Sequence, residues 1–154
     1  MSILPKADLS KRFIAALIDG LITAVPSFIP VLGAIIGALY ALTKDAVVYE
    51  VTDNEDFRNR SIGKKMMNLE VARVEGEGYV DWGTSIKRNL PLAIGSLIMI
   101  IPVIGWVIGP IVGLIIGVIE VILVFTDSEG RRMGDKFAGT QVIMTETEPE
   151  SETS

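Results

Sequence analysis

With no histidine and no cysteine in 154 residues, proton or ion chemistry in this chain must run through carboxylates, lysine, arginine or tyrosine. Imidazole base catalysis, thiolate nucleophiles, disulfides and the usual His/Cys metal sites are excluded at the outset. The carboxylates of interest are those set in apolar surroundings. Asp19 is the single charge within residues 13–43. It follows Arg12 by seven residues, which on a helix gives the same face and about 10 Å of further depth. A carboxylate at that depth in a bilayer costs on the order of 3 kcal/mol unless it is paired or hydrated. Asp19 therefore reads either as an ion- or proton-binding group, with Arg12 as its tuning charge, or as a polar clamp holding its helix to the bundle. Thr23, one turn deeper, offers another oxygen. Glu120 is the second acid at the edge of an apolar run, with Asp127 seven residues later. Near an interface, Glu120 can simply reach headgroup water. Asp135 returns to the same side after the last apolar segment, and Arg12, Asp19 and Asp135 are expected to converge there. The Gly63-Lys64 pair lacks the preceding glycine and strand of a phosphate loop.

These groups must be positioned by two apolar blocks. Residues 13–43 carry one charge and residues 89–119 carry none. Each is broken midway by nearly the same nonapeptide, Ile29-Pro30-Val31-Leu32-Gly33-Ala34-Ile35-Ile36-Gly37 and Ile101-Pro102-Val103-Ile104-Gly105-Trp106-Val107-Ile108-Gly109. One straight helix of either block would measure about 46 Å, against a hydrocarbon core of about 30 Å. A Pro-Gly break halfway makes each block a hairpin. The expected fold is an all-α membrane protein, with two transmembrane helical hairpins (four helices) and a short cytoplasmic segment between them. The helices are placed at 9–28, 30–48, 86–101 and 105–125. These arms are short, and a re-entrant helix 3 is the alternative.

All 14 lysines and arginines lie before residue 13, between 44 and 88, or after 130. Two hairpins put all three regions on one side, which the positive-inside rule makes the cytoplasm, with both termini there in a multi-pass cell-membrane protein. The basic N-terminus followed by a long apolar run reads as an uncleaved first membrane helix. Residues 1–143 form the membrane domain, with the cytoplasmic insert at about 49–85. Within the insert, 58–67 reads as a short amphipathic helix capped by Ser61, and 69–74 as a strand. Gly76-Glu77-Gly78 is a turn to a return strand at 79–80. The basic cluster Arg58, Arg60, Lys64 and Lys65 reads as a contact for anionic headgroups. Lys44, Lys87 and Arg88 read as topological anchors. Residues 144–154, rich in glutamate, read as a disordered acidic tail. No basic stripe with aromatics points to nucleic acid.

Gly105, Gly109, Gly113 and Gly117 form a four-residue ladder, repeated by Gly33 and Gly37. Such ladders admit close backbone approach. The choice lies between packing of helix 2 on helix 4 within the chain and an oligomer or pore face.

Four short stretches together are similar to the RDD family of small integral membrane proteins. They are Arg12-Phe13-Ile14-Ala15-Ala16-Leu17-Ile18-Asp19, the Ser61-Ile62-Gly63-Lys64 signature running to Val71, Arg88-Asn89-Leu90, and Arg131-Arg132-Met133-Gly134-Asp135 with Ala138-Gly139-Thr140-Gln141-Val142. The resemblance spans most of residues 10–143. Ile62 stands where the family often has proline, and Gly134 where it often has histidine. The resemblance implies that Asp135, with Asp127 as fallback, is the family's second aspartate. Cation–proton antiport is a proposal made for a member of that family.

The leading expectation is transport of small cations or protons by a small homo-oligomer through buried carboxylates, with the lipid bilayer as partner. No catalytic residue, metal or cofactor is expected, since no nucleophile–base pair or metal cluster is visible. The rival expectation is a non-transporting adaptor that regulates a membrane partner through its cytoplasmic segment.

Overall fold

The structure, a computed structural model, describes residues 6–29, 31–76 and 78–145. The first apolar block forms α1 (Leu9–Ala24), a 3-10 turn (Val25–Phe28) and α2 (Leu32–Thr43). A short α3 (Val47–Thr52), a 3-10 turn (Glu55–Phe57), α4 (Ile62–Met66) and β1 (Leu69–Arg73) follow. The second block forms α5 (Trp82–Ile98) and α6 (Ile104–Thr126), and the chain ends in α7 (Met133–Ala138) and β2 (Thr140–Met144).

Each start has a local cause. The Asp8 carboxylate accepts from the Lys11 N–H and caps α1, and Asp81 does the same for α5 through Thr84 N–H. Ser61 caps α4 as its sequence suggests. Ile62 is then the first helical residue, a position that tolerates proline as readily as isoleucine. Val31 and Val103, at matching positions of the paired nonapeptides, adopt one backbone conformation. Val31 has φ 64° and ψ −63°, and Val103 has φ 65° and ψ −68°. Around Val103 the Ile104 N–H bonds Pro102 O at 2.8 Å, which closes a three-residue γ-turn.

The four long helices stand in a row. The middle pair is α2 and α5, with α1 packed on α2 and α6 packed on α5. Only α6, among the described residues, is both long and apolar enough to cross a membrane. It is also mostly exposed, unlike the core helix of a soluble protein. At the polar end, α4 packs on α1 and α7 packs on α5, joined by the β1–β2 pair.

Five expectations need correction. Helix 2 does not run through 30–48. It stops at Thr43 so that the consecutive Lys44 and Asp45 can both turn inward, and α3 restarts at Val47. Helix 3 begins at Trp82 because Asp81, not residue 86, begins its N-terminus. The fold is mostly helical but not all-α. β1 pairs antiparallel with β2, Leu69 opposite Met144 and Arg73 opposite Thr140, instead of with residues 79–80. The alternation that buries Leu69 and Val71 needs a facing strand, and the chain after Gly78 leads directly into α5. Met144 therefore belongs to a strand, not to the acidic tail; residues 146–154 of that tail lie outside the described residues.

The glycine ladder does pack within the chain, but against α5 and not α2. Gly95, absent from the sequence reading, supplies the facing surface. A Cβ on Gly95 would fall 2.7 Å from Gly113 Cα and 2.8 Å from Gly109 O. Gly105 abuts the Ile98 carbonyl, while Gly117 has nothing within 4 Å. In the first hairpin, Gly33 is buried, and a Cβ on Gly37 would meet Thr23 O at 3.0 Å.

Candidate functional site

The polar end of the row encloses a continuous cluster of ion pairs. It is built on Arg88, whose side chain is fully buried. Its Nη2 lies 2.7 Å from Asp135 Oδ1, and its Nε lies 3.3 Å from Asp45 Oδ2. One guanidinium thus joins the turn after α2 to α7. Asp135 also takes Arg12 Nη2 at 3.3 Å, the Arg132 N–H at 3.1 Å and Arg132 Nη2 at 3.5 Å. Gly134 makes the approach possible, because a Cβ there would overlap the Arg88 carbonyl.

The other half of the cluster hangs from Asp45. Lys64 Nζ sits 2.6 Å from Asp45 Oδ1, and Asn89 Nδ2 donates to Oδ2 at 2.9 Å. Lys64 Nζ also donates to Ser61 Oγ at 3.3 Å. The Ser61 hydroxyl in turn donates to Asp19 Oδ2 at 2.6 Å. Asp19 Oδ1 accepts from the Gly63 N–H at 2.8 Å, and Lys44 Nζ lies 3.4 Å from Oδ2. The Gly63-Lys64 motif therefore has a physical meaning. Glycine lets the backbone reach Asp19, since a Cβ would run into the Ala15 carbonyl. Lysine then reaches past it to Asp45.

Burial and charge oppose each other here. Burial raises Asp45, but Lys64, Arg88 and Lys44 outweigh it and hold the carboxyl well below its usual range. Burial likewise raises Asp135, and Arg88, Arg132 and Arg12 bring it down to about 2. Lys64 goes the other way for a lysine that is paired. Burial lowers it, Asp45 and Asp19 restore part of the loss, and Lys44 and Arg88 take some back, leaving about 8.

The candidates from sequence are thus divided. Arg12 and Asp135 meet directly, and Asp19 joins them through Ser61, Lys64, Asp45 and Arg88. Arg12 does not pair with Asp19: two helical turns separate them by about 10 Å, and Arg12 turns to Asp135 and the Gly130 carbonyl instead. Thr23 donates its hydroxyl to the Asp19 backbone oxygen at 2.8 Å, not to the carboxylate. Glu120 is buried, and Oε2 accepts from the Met133 N–H at 2.8 Å. Its other oxygen has no hydrogen-bond partner among the described residues. Asp127 lies apart, organising the α6–α7 turn through the Glu129 and Arg131 N–H groups and Lys136 Nζ at 2.6 Å. The basic cluster of the insert is dispersed: Arg58 pairs with Glu55, Arg60 with Glu70 and Lys65 with Asp56, while Lys64 points inward.

Asp45, Asn89, Ser85 and Arg132 were not among the site candidates that the sequence singled out. A signal existed for the first. Lys44-Asp45 interrupts an apolar run that resumes at Ala46-Val47-Val48. Ser85 lies one helical turn before both Arg88 and Asn89, at the spacings that bring side chains together.

A mostly helical chain with one exposed apolar span and its charges gathered at one end has the build of a small membrane protein. The sequence model of the RDD family matches residues 46–139, more than half of the chain, and the chain belongs to this membrane family. The matched stretch contains Asp45's partners Lys64, Arg88 and Asn89, together with Gly63 and Asp135. It leaves out α1 with Arg12 and Asp19. No curated protein matches this chain, and no solved structure does.

Proposed function

We propose that the chain is a four-pass membrane protein, both ends cytoplasmic, that exchanges protons for small monovalent cations at the Asp19–Ser61–Lys64–Asp45 cluster. The observation that carries this reading is Lys64, an ammonium group buried between two carboxylates, bonded to one and linked to the other through a single hydroxyl. Loss of its proton leaves Asp45 and Asp19 short of one positive charge. A small cation can supply that charge, held by the two carboxylates, Ser61 Oγ and the unpartnered Asn89 Oδ1. A returning proton on Lys64 displaces the cation, so one proton moves for one cation. With Lys64 near 8, the exchange operates around neutral and mildly alkaline pH.

The topology has its own support. Large apolar side chains are exposed on all four long helices, among them Leu17, Leu21, Leu39, Ile94 and Leu114. Such an exterior suits lipid, not water. Val31 and Val103 both lie at the end opposite the charges. Single cysteines at Ile29 and Ile101 should label from outside and one at Glu75 from inside. Outside labelling at Glu75 would sink the two-hairpin topology.

Function is tested in vesicles containing the purified protein. A sodium or potassium pulse should release protons in wild type. Lys64→Met should abolish the exchange, and Asp19→Asn should fold normally yet lose it. Proton movement unaffected by Lys64→Met would refute the reading. The adaptor reading has one observation in its favour. Val51, Met66 and Phe137 expose large apolar surfaces at the polar end. It predicts no flux at all, and a membrane partner lost on Phe137→Glu.

A further inference from the structure

The row of helices is open on one side. The polar-end halves of α1 and α6 face each other without packing along their length, and between them lies a cleft of about 1220 Å³. That exceeds the roughly 300–1,000 Å³ usual for small-molecule pockets. Its walls are apolar: Phe13 and Leu17 from α1, and Leu114, Val121 and Phe125 from α6. Its floor is charged, with Arg12, Lys44, Lys64 and Arg132 set among Asp19 and Glu120.

The two signs of charge are not equally presented. Asp19 and Glu120 are each 2% exposed; both Asp19 oxygens turn to Gly63 and Ser61, and Glu120 turns one oxygen to Met133 while the other stays buried. The four cations keep between 8% and 14% of their side chains accessible. Lys44 and Arg132 hold their acids most loosely, at 3.4 and 3.5 Å, and Lys44 pairs with Asp19 alone among the described residues. A group entering the cleft therefore meets positive charge at the floor and hydrocarbon at the walls. The proposed topology places this floor at the cytoplasmic headgroup level and opens the mouth sideways into the bilayer. Basic pockets in that position suit anionic headgroups.

We propose that the α1–α6 cleft is a binding site for one anionic phospholipid, its phosphate against Lys44 and Arg12 and its acyl chains between Phe13, Leu17, Leu114 and Phe125. The site rests on the four-pass topology but not on cation exchange, so loss of flux leaves it standing. Outside labelling at Glu75 would remove its footing.

The test uses the full chain in detergent, with lipid retention read by native mass spectrometry and by the shift in thermal transition. Short-chain phosphatidylglycerol should be retained as one molecule per chain and raise the transition. Short-chain phosphatidylcholine should do neither. Lys44→Gln should weaken retention about fivefold, the share expected of one basic residue near the surface. Should that variant fail to fold, Gly117→Trp serves instead. A Cβ there meets nothing within 4 Å, so the indole can fill the cleft from its wall. It should abolish retention while leaving the lipid-free transition unchanged. Equal retention of phosphatidylcholine would overturn the proposal, as would an equal shift with inorganic phosphate alone. A lipid-free dimer that Gly117→Trp dissociates would also overturn it, assigning the cleft to a second copy of this chain.

Discussion

The two hairpins share a turn and differ in everything that follows from it. Val31 and Val103 hold the same left-handed backbone, and both turns join apolar arms whose charges lie at the far end. Yet α5 and α6 meet backbone to backbone over Gly95, Gly109 and Gly113, whereas in the first hairpin Gly20 on α1 has open space around it and a Cβ on Gly37 of α2 would meet the Thr23 carbonyl. The difference is one of small residues on the facing helix. α5 carries Gly95 opposite the ladder, and α1 offers the Thr23 carbonyl and side chain. The second hairpin is thereby a tight scaffold. In the first, α1 is held mainly from below, by Asp19 on Gly63 and Ser61 and by Arg12 on Asp135. The family match, which covers the second hairpin and not α1, follows the same division.

The largest expected effect falls on the scaffold's charge. Arg88→Met leaves Asp45 and Asp135 without their shared cation, and breaking a buried pair from one side costs about 3–5 kcal/mol. Arg12→Met removes a partner that Asp135 can lose while keeping Arg88 and Arg132, at about 1–2 kcal/mol. Thermal unfolding in detergent compares the two directly. Equal losses would mean that the two hairpins lean on the cluster alike.

Packing comes next. Gly95→Leu forces a side chain into Gly109 and Gly113 and should destabilise by about 3 kcal/mol, the upper end for overpacking. Gly117→Leu, on the open stretch of the same ladder, should stay within about 0.5 kcal/mol of wild type. A ladder whose members all respond alike would be an oligomer face after all.

Acid should loosen the tie between the hairpins. Asp135 titrates near 2 in the folded chain, below its ordinary 3.8, so the unfolded chain takes the proton first as pH falls. The stabilisation is present above about pH 4 and is lost toward pH 2. It amounts to on the order of 2 kcal/mol. Asp45, also held low, adds loss in the same direction. Melting from pH 5 to pH 2 should show the fall, and Asp135→Asn should flatten it. An unchanged slope in that variant would exclude Asp135 as its source.

The breaks within the two apolar blocks were legible, because a Pro-Gly pair in a long apolar run interrupts a helix. The sequence carried the short helix at Ser61 for the same kind of reason, a cap followed by a basic turn. It did not carry β2, whose partner β1 lies across the whole second hairpin. Local alternation announces a strand but not its mate. Within the site, Asp19 and Asp135 were legible as acids in unusual company. Their partners were not. Side-chain reach from a separate element decides them: Lys64 over Gly63 to Asp45, and Arg88 between two segments distant in sequence. Lys44 and Arg88 looked like anchors flanking helices, and that is where such residues usually sit. Only the return of the insert over the bundle end turns them into counter-ions.

The smallest effect bears most directly on the comparison. A β-branched residue at φ near 65° is strained, on the order of 1 kcal/mol or more. Glycine relieves that strain but adds freedom to the unfolded chain, which offsets part of the gain. Val31→Gly and Val103→Gly should each therefore raise stability by no more than about 1 kcal/mol, and by equal amounts if the turns are equivalent. In the tight second hairpin the gain should appear as a higher melting temperature of the whole bundle. In the first it should appear even when Arg88→Met has already weakened the scaffold. A Val103→Gly chain that melts lower than wild type would show that the γ-turn is held by its valine side chain. The shared nonapeptide would then have different duties in the two hairpins.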